Sequence, residues 1–452
     1  MSLVDEKGVY TRARPICLPQ TGLAPGALPP RRRARSRGPG RPTRGRVHPM
    51  DALESEAPMR LAMLTAIAGL ATLLALAEPP DEGDLSGPLT YSKSGVTLAG
   101  KTTPWKNVTS IEEASPDVET LRAQYRQRKE KTSPAAASLV ALGKWCRENG
   151  LEEEAKAEYQ AALDAAPDNG EARKAMGFAF VKDKGWQPAI EVYEERRKGT
   201  PVDKKEKVLE LAKWCGDHAL FEKRWDLIVT LLARDSASRA AIRAFKPLVD
   251  KRAPETVLHP PFAGRWKAQD DPTGHHQTMV FGIYAFDFVR VDAKGSFHDG
   301  STASLDHFHS FDQPILAAAD GVVYEVVDRF RDLPPNVPGR FDEANSVVLQ
   351  HTDREYTNYG HIRQGSAKVK KGDKVVQGQE IARIGNSGYA GFPHLHFAVY
   401  LLQRTPEGQG VFVGAPYQFT GFRLVEANGT PCSVDVRLAR PQENWTMECP
   451  GQ

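Results

Sequence analysis

The sequence predicts a multidomain α+β protein, an α-helical repeat region followed by a mostly antiparallel β-sheet domain, from three observations. Residues 115–255 are rich in Ala, Leu, Glu, Lys and Arg, with a helical pattern and a longer 34-residue recurrence. After about residue 256, short β-rich runs alternate with turn signals. Ahead of both, residues 11–49 are so rich in Arg, Pro and Gly that they cannot bury a core.

The front end carries the charge. Residues 1–77 hold 12 Lys and Arg against 5 Asp and Glu, leaving 48 against 52 in the remainder of the 452-residue chain. No basic surface dominates the folded part, which argues against nucleic acid as a partner. Met59-Arg60 precedes the apolar run 61–77, which ends Ala75-Leu76-Ala77 before Glu78-Pro79-Pro80. A basic start, an apolar centre and an A-x-A site read as a signal peptide over 59–77, with residues 1–58 a disordered extension ahead of the true start. An uncleaved anchor is the other reading, although 17 residues is short for a span; the expected mature protein has no stable membrane span. Residues 78–114, with scattered Pro, Gly and Ser, read as a linker.

Within 115–255, Leu142, Gly143, Ala155, Tyr159 and Pro167 recur as Met176, Gly177, Ala189, Tyr193 and Pro201, each step 34 residues. Small residues where two helices touch, and Pro after the second, make this region resemble the tetratricopeptide repeat. The match is incomplete, because Leu139 and Arg173 stand at the early Trp position and Arg196 at a later Ala position. Trp214-Cys215 echoes Trp145-Cys146 after 69 residues and marks a third, weaker unit from about Val208. The resemblance implies a groove for a protein partner; a rigid spacer is the alternative.

The β domain is expected over 256–425, with 426–452 as a C-terminal tail. Strand candidates include 322–327, 346–350, 380–385 and 394–400. In the last of these, His394 and His396 stand two apart and so share one face, flanked by Leu395, Phe397 and Val399. Asp287 lies in the apolar run Tyr284–Val289, where a buried carboxylate needs a cation or strong donors. His275, His276 and His361 complete a donor set suited to one catalytic zinc ion with about three protein ligands and an open position. His298, His307 and His309 fall in a polar loop and read as surface. Neither a GxSxG turn nor a Cys–His arrangement is present. Cys432 and Cys449 flank the last stretch and could pair in an oxidising compartment.

The segments AFDF, PILAAADGVV, NSVVLQH, NYGHI, VKKGDKVVQGQEIARIGNSG and PHLHFAVY occur in an order that resembles the lysostaphin-type, LytM-like zinc endopeptidases, over about residues 260–420. The resemblance implies Asp287 and His396 as zinc ligands, His394 and His361 as catalytic histidines, and Tyr359 and His351 as residues shaping the site. It also implies peptides of peptidoglycan as substrate and action in the cell envelope, secreted or periplasmic. Zinc lowers the pKa of its bound water to about 7; His394 would act as base and His361 would help stabilise the oxyanion. One departure stands out. The family places a ligand His four residues before the Asp, and here that position is Ile283. His276, eleven residues before Asp287, is the expected first ligand, with His275 next. Should neither bind, the chain would be an inactive envelope protein that binds and regulates wall hydrolases; a scaffold whose helical repeats carry the main function is a separate alternative.

Overall fold

The computed structural model describes Thr72–Leu74 and residues 89–450, apart from 99, 114–115, 251–253, 270, 272–273 and 338. The extension over 1–58 and nearly all of segment 59–77, expected as a signal peptide, lie outside the described residues. Thr72–Leu74 pair antiparallel with Ser110–Glu112. Among the described residues no helix is long and apolar enough to cross a membrane.

Eight helices occupy the helical region among the described residues: α1 (Val118–Lys131), α2 (Ala136–Glu148), α3 (Glu152–Ala165), α4 (Gly170–Ala175), α5 (Ala189–Lys198), α6 (Lys205–Asp217), α7 (Phe221–Arg234) and α8 (Arg239–Val249). Asp117 caps α1, accepting from the Thr120 amide at 2.6 Å, and Asn169 caps α4, accepting from the Ala172 amide at 2.9 Å. Gly143 lets α2 approach α3, since a Cβ there would stand 2.8 Å from the Tyr159 ring. The 69-residue echo is structural. Cys146 and Cys215 are fully buried near the ends of α2 and α6, and Gly150 and Ala219 both turn through the left-handed region before α3 and α7.

The middle unit departs from the 34-residue pattern. Gly177, the counterpart of helical Gly143, lies outside any helix at φ 83°. Phe178–Val181 and Gly185–Pro188 form a β-hairpin where a first helix was expected. Phe-Ala-Phe-Val alternates, and Asp183 and Gly185 take the positive φ that a tight turn needs.

Strands β1 (Gly264–Ala268), β2 (Phe286–Arg290), β3 (Gly321–Val327), β4 (Ser346–Gln350), β5 (Glu355–Gly360), β6 (Leu395–Arg404), β7 (Gly410–Ala415), β8 (Phe422–Ala427), β9 (Thr430–Leu438) and β10 (Trp445–Cys449) join in one sheet. Its order is β9-β8-β10-β1-β2-β6-β5-β4-β3, with β7 also on β6. These pairings are antiparallel; Ser110–Glu112 adds a parallel strand to β9. Phe262, Trp266, Phe288, Tyr359, Phe397 and Phe419 fill the core behind the centre of the sheet.

Two expectations need correction. Residues 78–114 are not simply a linker. Thr90–Ser92, Gly95–Leu98 and Lys101–Thr103 form a meander, and Val96, Trp105 and Ile111 join the main core. Residues 426–452 are not a tail either. In β9, Val434 and Val436 are buried between exposed Asp435 and Arg437, the period-two pattern of a half-buried strand, and β10 is inserted between β8 and β1. Cys432 and Cys449 are both free thiols.

Candidate metal centre

The register of three central strands assembles the site. Asp287 of β2 stands directly opposite His396 of β6, and His396 stands opposite Gly360 of β5. Direct cross-strand partners share a face, so Asp287 and His396 meet: His396 Nδ1 lies 3.0 Å from Asp287 Oδ1. Gly360 leaves room for the imidazole, since a Cβ there would stand 3.2 Å from His396 Cβ.

His276 arrives from a single 3₁₀ turn, His275–Thr278, and brings Nε2 to 3.2 Å from the same Asp287 oxygen. His276, Asp287 and His396 each offer a ligand atom, all within 4.8 Å of one another. Donors each about 2.1 Å from one tetrahedral ion stand roughly 3.4 Å apart, close to the 3.0 and 3.2 Å found. Side-chain exposures of 6, 13 and 18% for His276, Asp287 and His396 place the cluster in a recess that solvent still reaches.

His275 lies beside His276, with ring centroids 4.0 Å apart. Its Nδ1 is 2.7 Å from Asp271 Oδ1 and its Nε2 is 3.5 Å from the second oxygen of Asp287. Asp271 was not singled out in the sequence, yet its carboxylate accepts from the backbone amides of His275 and His276 at 3.1 and 3.0 Å. The segment Asp271-Pro-Thr-Gly274 was the available signal, because Asp at the start of such a turn bonds the backbone ahead of it.

The other two histidines flank the cluster. His394 Nδ1–H donates to the Phe392 carbonyl at 2.8 Å, leaving Nε2 bare and 3.5 Å from Asp287 Oδ1. His361 follows β5 at φ 60°, a left-handed conformation uncommon for a residue with a Cβ. Its Nδ1–H donates to the Ser387 carbonyl at 2.7 Å, and its ring centroid is 4.7 Å from that of His394.

Charge in the recess is mutually adjusted. Burial opposes ionisation of Asp287, but electrostatic attraction toward His394 and hydrogen bonds from His275, His276 and His396 outweigh it and hold the carboxyl well below the usual range. Burial, reinforced by the neighbouring His394 and His396, pushes His361 well below the ordinary imidazole value. Burial also lowers His396, against the pull of Asp287. Both rings are therefore held in the neutral form that can ligate a metal or accept a proton.

Two loops wall the recess. Phe297 and Phe308, from the loop carrying His298, His307 and His309, pack on Phe392, whose ring is 5.5 Å from that of His394. His307 pairs with Asp299 at 2.9 Å, away from the cluster. The 328–343 loop is bonded to the loop before His394, with Asp332 accepting from the Asn386 amide at 2.7 Å and the Gly339 amide donating to Gly388 at 2.9 Å. Tyr359 and His351 do not shape the recess directly. Tyr359 pairs with Phe397, one residue out of step with His396, so it faces the core. There its hydroxyl accepts from the Ala318 amide, and Thr357 Oγ1 links it to His351 Nε2.

Residues 300–408 match the family model described as Peptidase family M23. That span includes His361, His394 and His396 and leaves His276 and Asp287 upstream. The chain is similar to an uncharacterized metalloprotease of Buchnera aphidicola subsp. Baizongia pistaciae, 32% identical over 114 residues, 25% of this chain and 26% of that protein. It is similar also to peptidoglycan DD-endopeptidase ShyA of Vibrio cholerae serotype O1, 37% identical over 91 residues, 20% of this chain and 18% of that protein. The chain thus spans about a quarter or less of the length of these relatives. Among solved structures, the catalytic domain of the antimicrobial peptidase lysostaphin from Staphylococcus simulans is 21% identical, covering 35% of this chain and 86% of that chain, with a TM-score of 0.20. The β region of this chain carries a Peptidase family M23 domain at residues 300–408.

Proposed function

We propose that this chain is a zinc-dependent endopeptidase that hydrolyses peptide bonds in peptidoglycan stems or cross-bridges, outside the cytoplasm. The observation that carries the reading is the convergence of His276 Nε2 and His396 Nδ1 on one oxygen of Asp287, with His394 and His361 beside them. Two imidazoles and one carboxylate, spaced like edges of a ligand tetrahedron, suit one zinc ion. Zinc held there supplies Lewis acidity, lowering the pKa of coordinated water to about 7 and polarising an amide carbonyl.

His394 is the base. Its Nδ1 is committed to the Phe392 carbonyl, so the free Nε2 takes the proton of the attacking water and returns it to the leaving amine as the C–N bond breaks. His361 has the same tautomer, fixed by Ser387, so its Nε2 donates to an oxyanion only after it has itself gained a proton. The similarity to peptidoglycan DD-endopeptidase ShyA supports peptidoglycan as the substrate class. The A-x-A segment over 59–77 supports export. A catalytically silent regulator is the weaker reading, because His276 supplies the imidazole that Ile283 does not.

Metal analysis of the full chain, with release of muropeptides from purified sacculi, tests the proposal. One zinc per chain is expected, lost in His276→Ala and retained in His275→Ala. His394→Ala and His361→Ala keep zinc and lose about 10²–10⁴ in release rate. Unchanged zinc in His276→Ala refutes the ligand assignment; full release by both flanking variants refutes the mechanism.

A further inference from the structure

We propose that the helical region sets the affinity of the candidate metal centre by holding the connection between His276 and Asp287, with Val280 and Tyr284 as positioning residues. The inference rests on His276 being a ligand. The connection, residues 277–286, does not rest on the sheet alone. Val280 is fully buried and Ile283 is 3% exposed, both inside the hydrophobic cluster formed by Leu227, Leu231, Ile242 and Phe245 of α7 and α8. Ile283 occupies the position from which an imidazole four residues before Asp287 would be presented. Here that side chain is committed to the helices, and the imidazole comes from farther back.

Polar contacts fix the same connection. The Val280 amide donates to the Ser236 carbonyl, between α7 and α8, at 2.9 Å, and the Gly414 amide of β7 donates to the Val280 carbonyl at 2.8 Å. Tyr284 hydrogen-bonds Asp250, just past the end of α8, through its hydroxyl. Lys246 of α8 lies 4.5 Å from the centre of the Tyr284 ring and pairs with Asp250 at 2.7 Å.

The seat is coupled to the ligand. Gly282 lies against the backbone of His276, where a Cβ would stand 2.6 Å from the His276 carbonyl oxygen. Gln277 Nε2 donates back to the Ile283 carbonyl at 3.3 Å. A shift of residues 280–284 on the helices is therefore a shift of His276. Asp271 holds the other end of the turn through the two backbone amides. Groups that orient a metal ligand without touching the metal change affinity by about 10–100-fold, and Val280 and Tyr284 belong to this class.

Zinc affinity of the full chain, measured by chelator competition, tests this, with the visible spectrum of the cobalt-substituted protein as a second readout. Val280→Ala combined with Tyr284→Phe is expected to weaken zinc about tenfold and to alter the cobalt absorption, while far-UV circular dichroism stays native. Leu142→Ala, in the separate α2–α3 core, lowers the melting temperature and leaves zinc affinity within about twofold of the parent. An unchanged zinc constant in the folded double variant, or equal weakening by Leu142→Ala, overturns the proposal. Absence of zinc from the parent, or unchanged zinc in His276→Ala, overturns the ligand reading as well, so the two failures are told apart.

Discussion

His361 holds a left-handed backbone, which costs a residue with a Cβ about 1–3 kcal/mol, and this backbone turns its ring toward His394. Asn tolerates that region and β-branched residues do not. His361→Asn is therefore expected to keep the parent melting temperature to within a few degrees while losing about 100-fold or more of activity. His361→Val should lose both, and thermal denaturation beside an activity assay checks the separation. His351 offers a test by pH. Burial lowers its pKa below the ordinary 6.5, and its neutral ring bridges Asp320 O and Thr357 Oγ1. With the folded value below the unfolded one, the stability it contributes is present above about pH 6.5 and is lost as pH falls toward the folded value. The melting temperature of His351→Gln should then fall less between pH 7 and pH 5 than that of the parent. At this scale much of the site is readable from sequence. Asp287 stands out as a lone carboxylate in an apolar strand, and His394 and His396 as a same-face pair. Tyr359 is harder, because the face it takes depends on register with β6, and register is a property of the assembled sheet. Asp271 is harder still, since it acts through backbone amides and not through a recognisable ligand spacing.

Strand β10 illustrates what an element contributes beyond its own residues. It separates β8 from β1, and its Trp445 and Met447 are fully buried in the core that also holds Trp266. Without it, β1 becomes an edge and the floor beside β2 opens. Trp445→Ala should cost about 3–5 kcal/mol, read from the denaturant midpoint at constant slope. A cost under about 1 kcal/mol would mean that these strands are dispensable. The alternation of Val434 and Val436 is legible but short; its turn signal is Asn428-Gly429, both at positive φ, which joins it to β8. In the helical region, period and composition identify α2–α3 and α6–α7. The hairpin over 178–188 escaped because a 34-residue recurrence at Gly177 matched in identity while its backbone serves a turn. A repeat in sequence constrains which residues recur and leaves open what each one does.

Across the whole molecule, the helical and β regions are joined by shared apolar burial as well as by chain. Val280, Ile283 and Val413 come from the β region, yet they are buried among α5–α8 side chains. Trp225 of α7 also donates to Gln403 of β6 at 3.2 Å, and Gln409 donates to the Ala233 carbonyl at 3.2 Å. Fully burying one such aliphatic side chain is worth about 1.5–3 kcal/mol, so separating the regions would expose a cost comparable to the whole stability of a small domain, about 5–15 kcal/mol. Two consequences follow from that magnitude. The full chain should unfold in one transition, with helical far-UV and aromatic near-UV signals coincident. A fragment that lacks α1–α8 but keeps residues 89–113, whose Val96, Trp105 and Ile111 belong to the β core, together with 254–450 should associate through the uncovered patch, since apolar surface of this kind seldom stays solvent-exposed on a monomer. Replacing Val280, Ile283 and Val413 together by Ser should return that fragment to a monomer on sizing chromatography, because the substitutions remove the apolar surface and leave the Asp287–His396 pairing in place. Two well-separated transitions in the full chain, together with a monomeric unsubstituted fragment, would make the helices a detachable spacer.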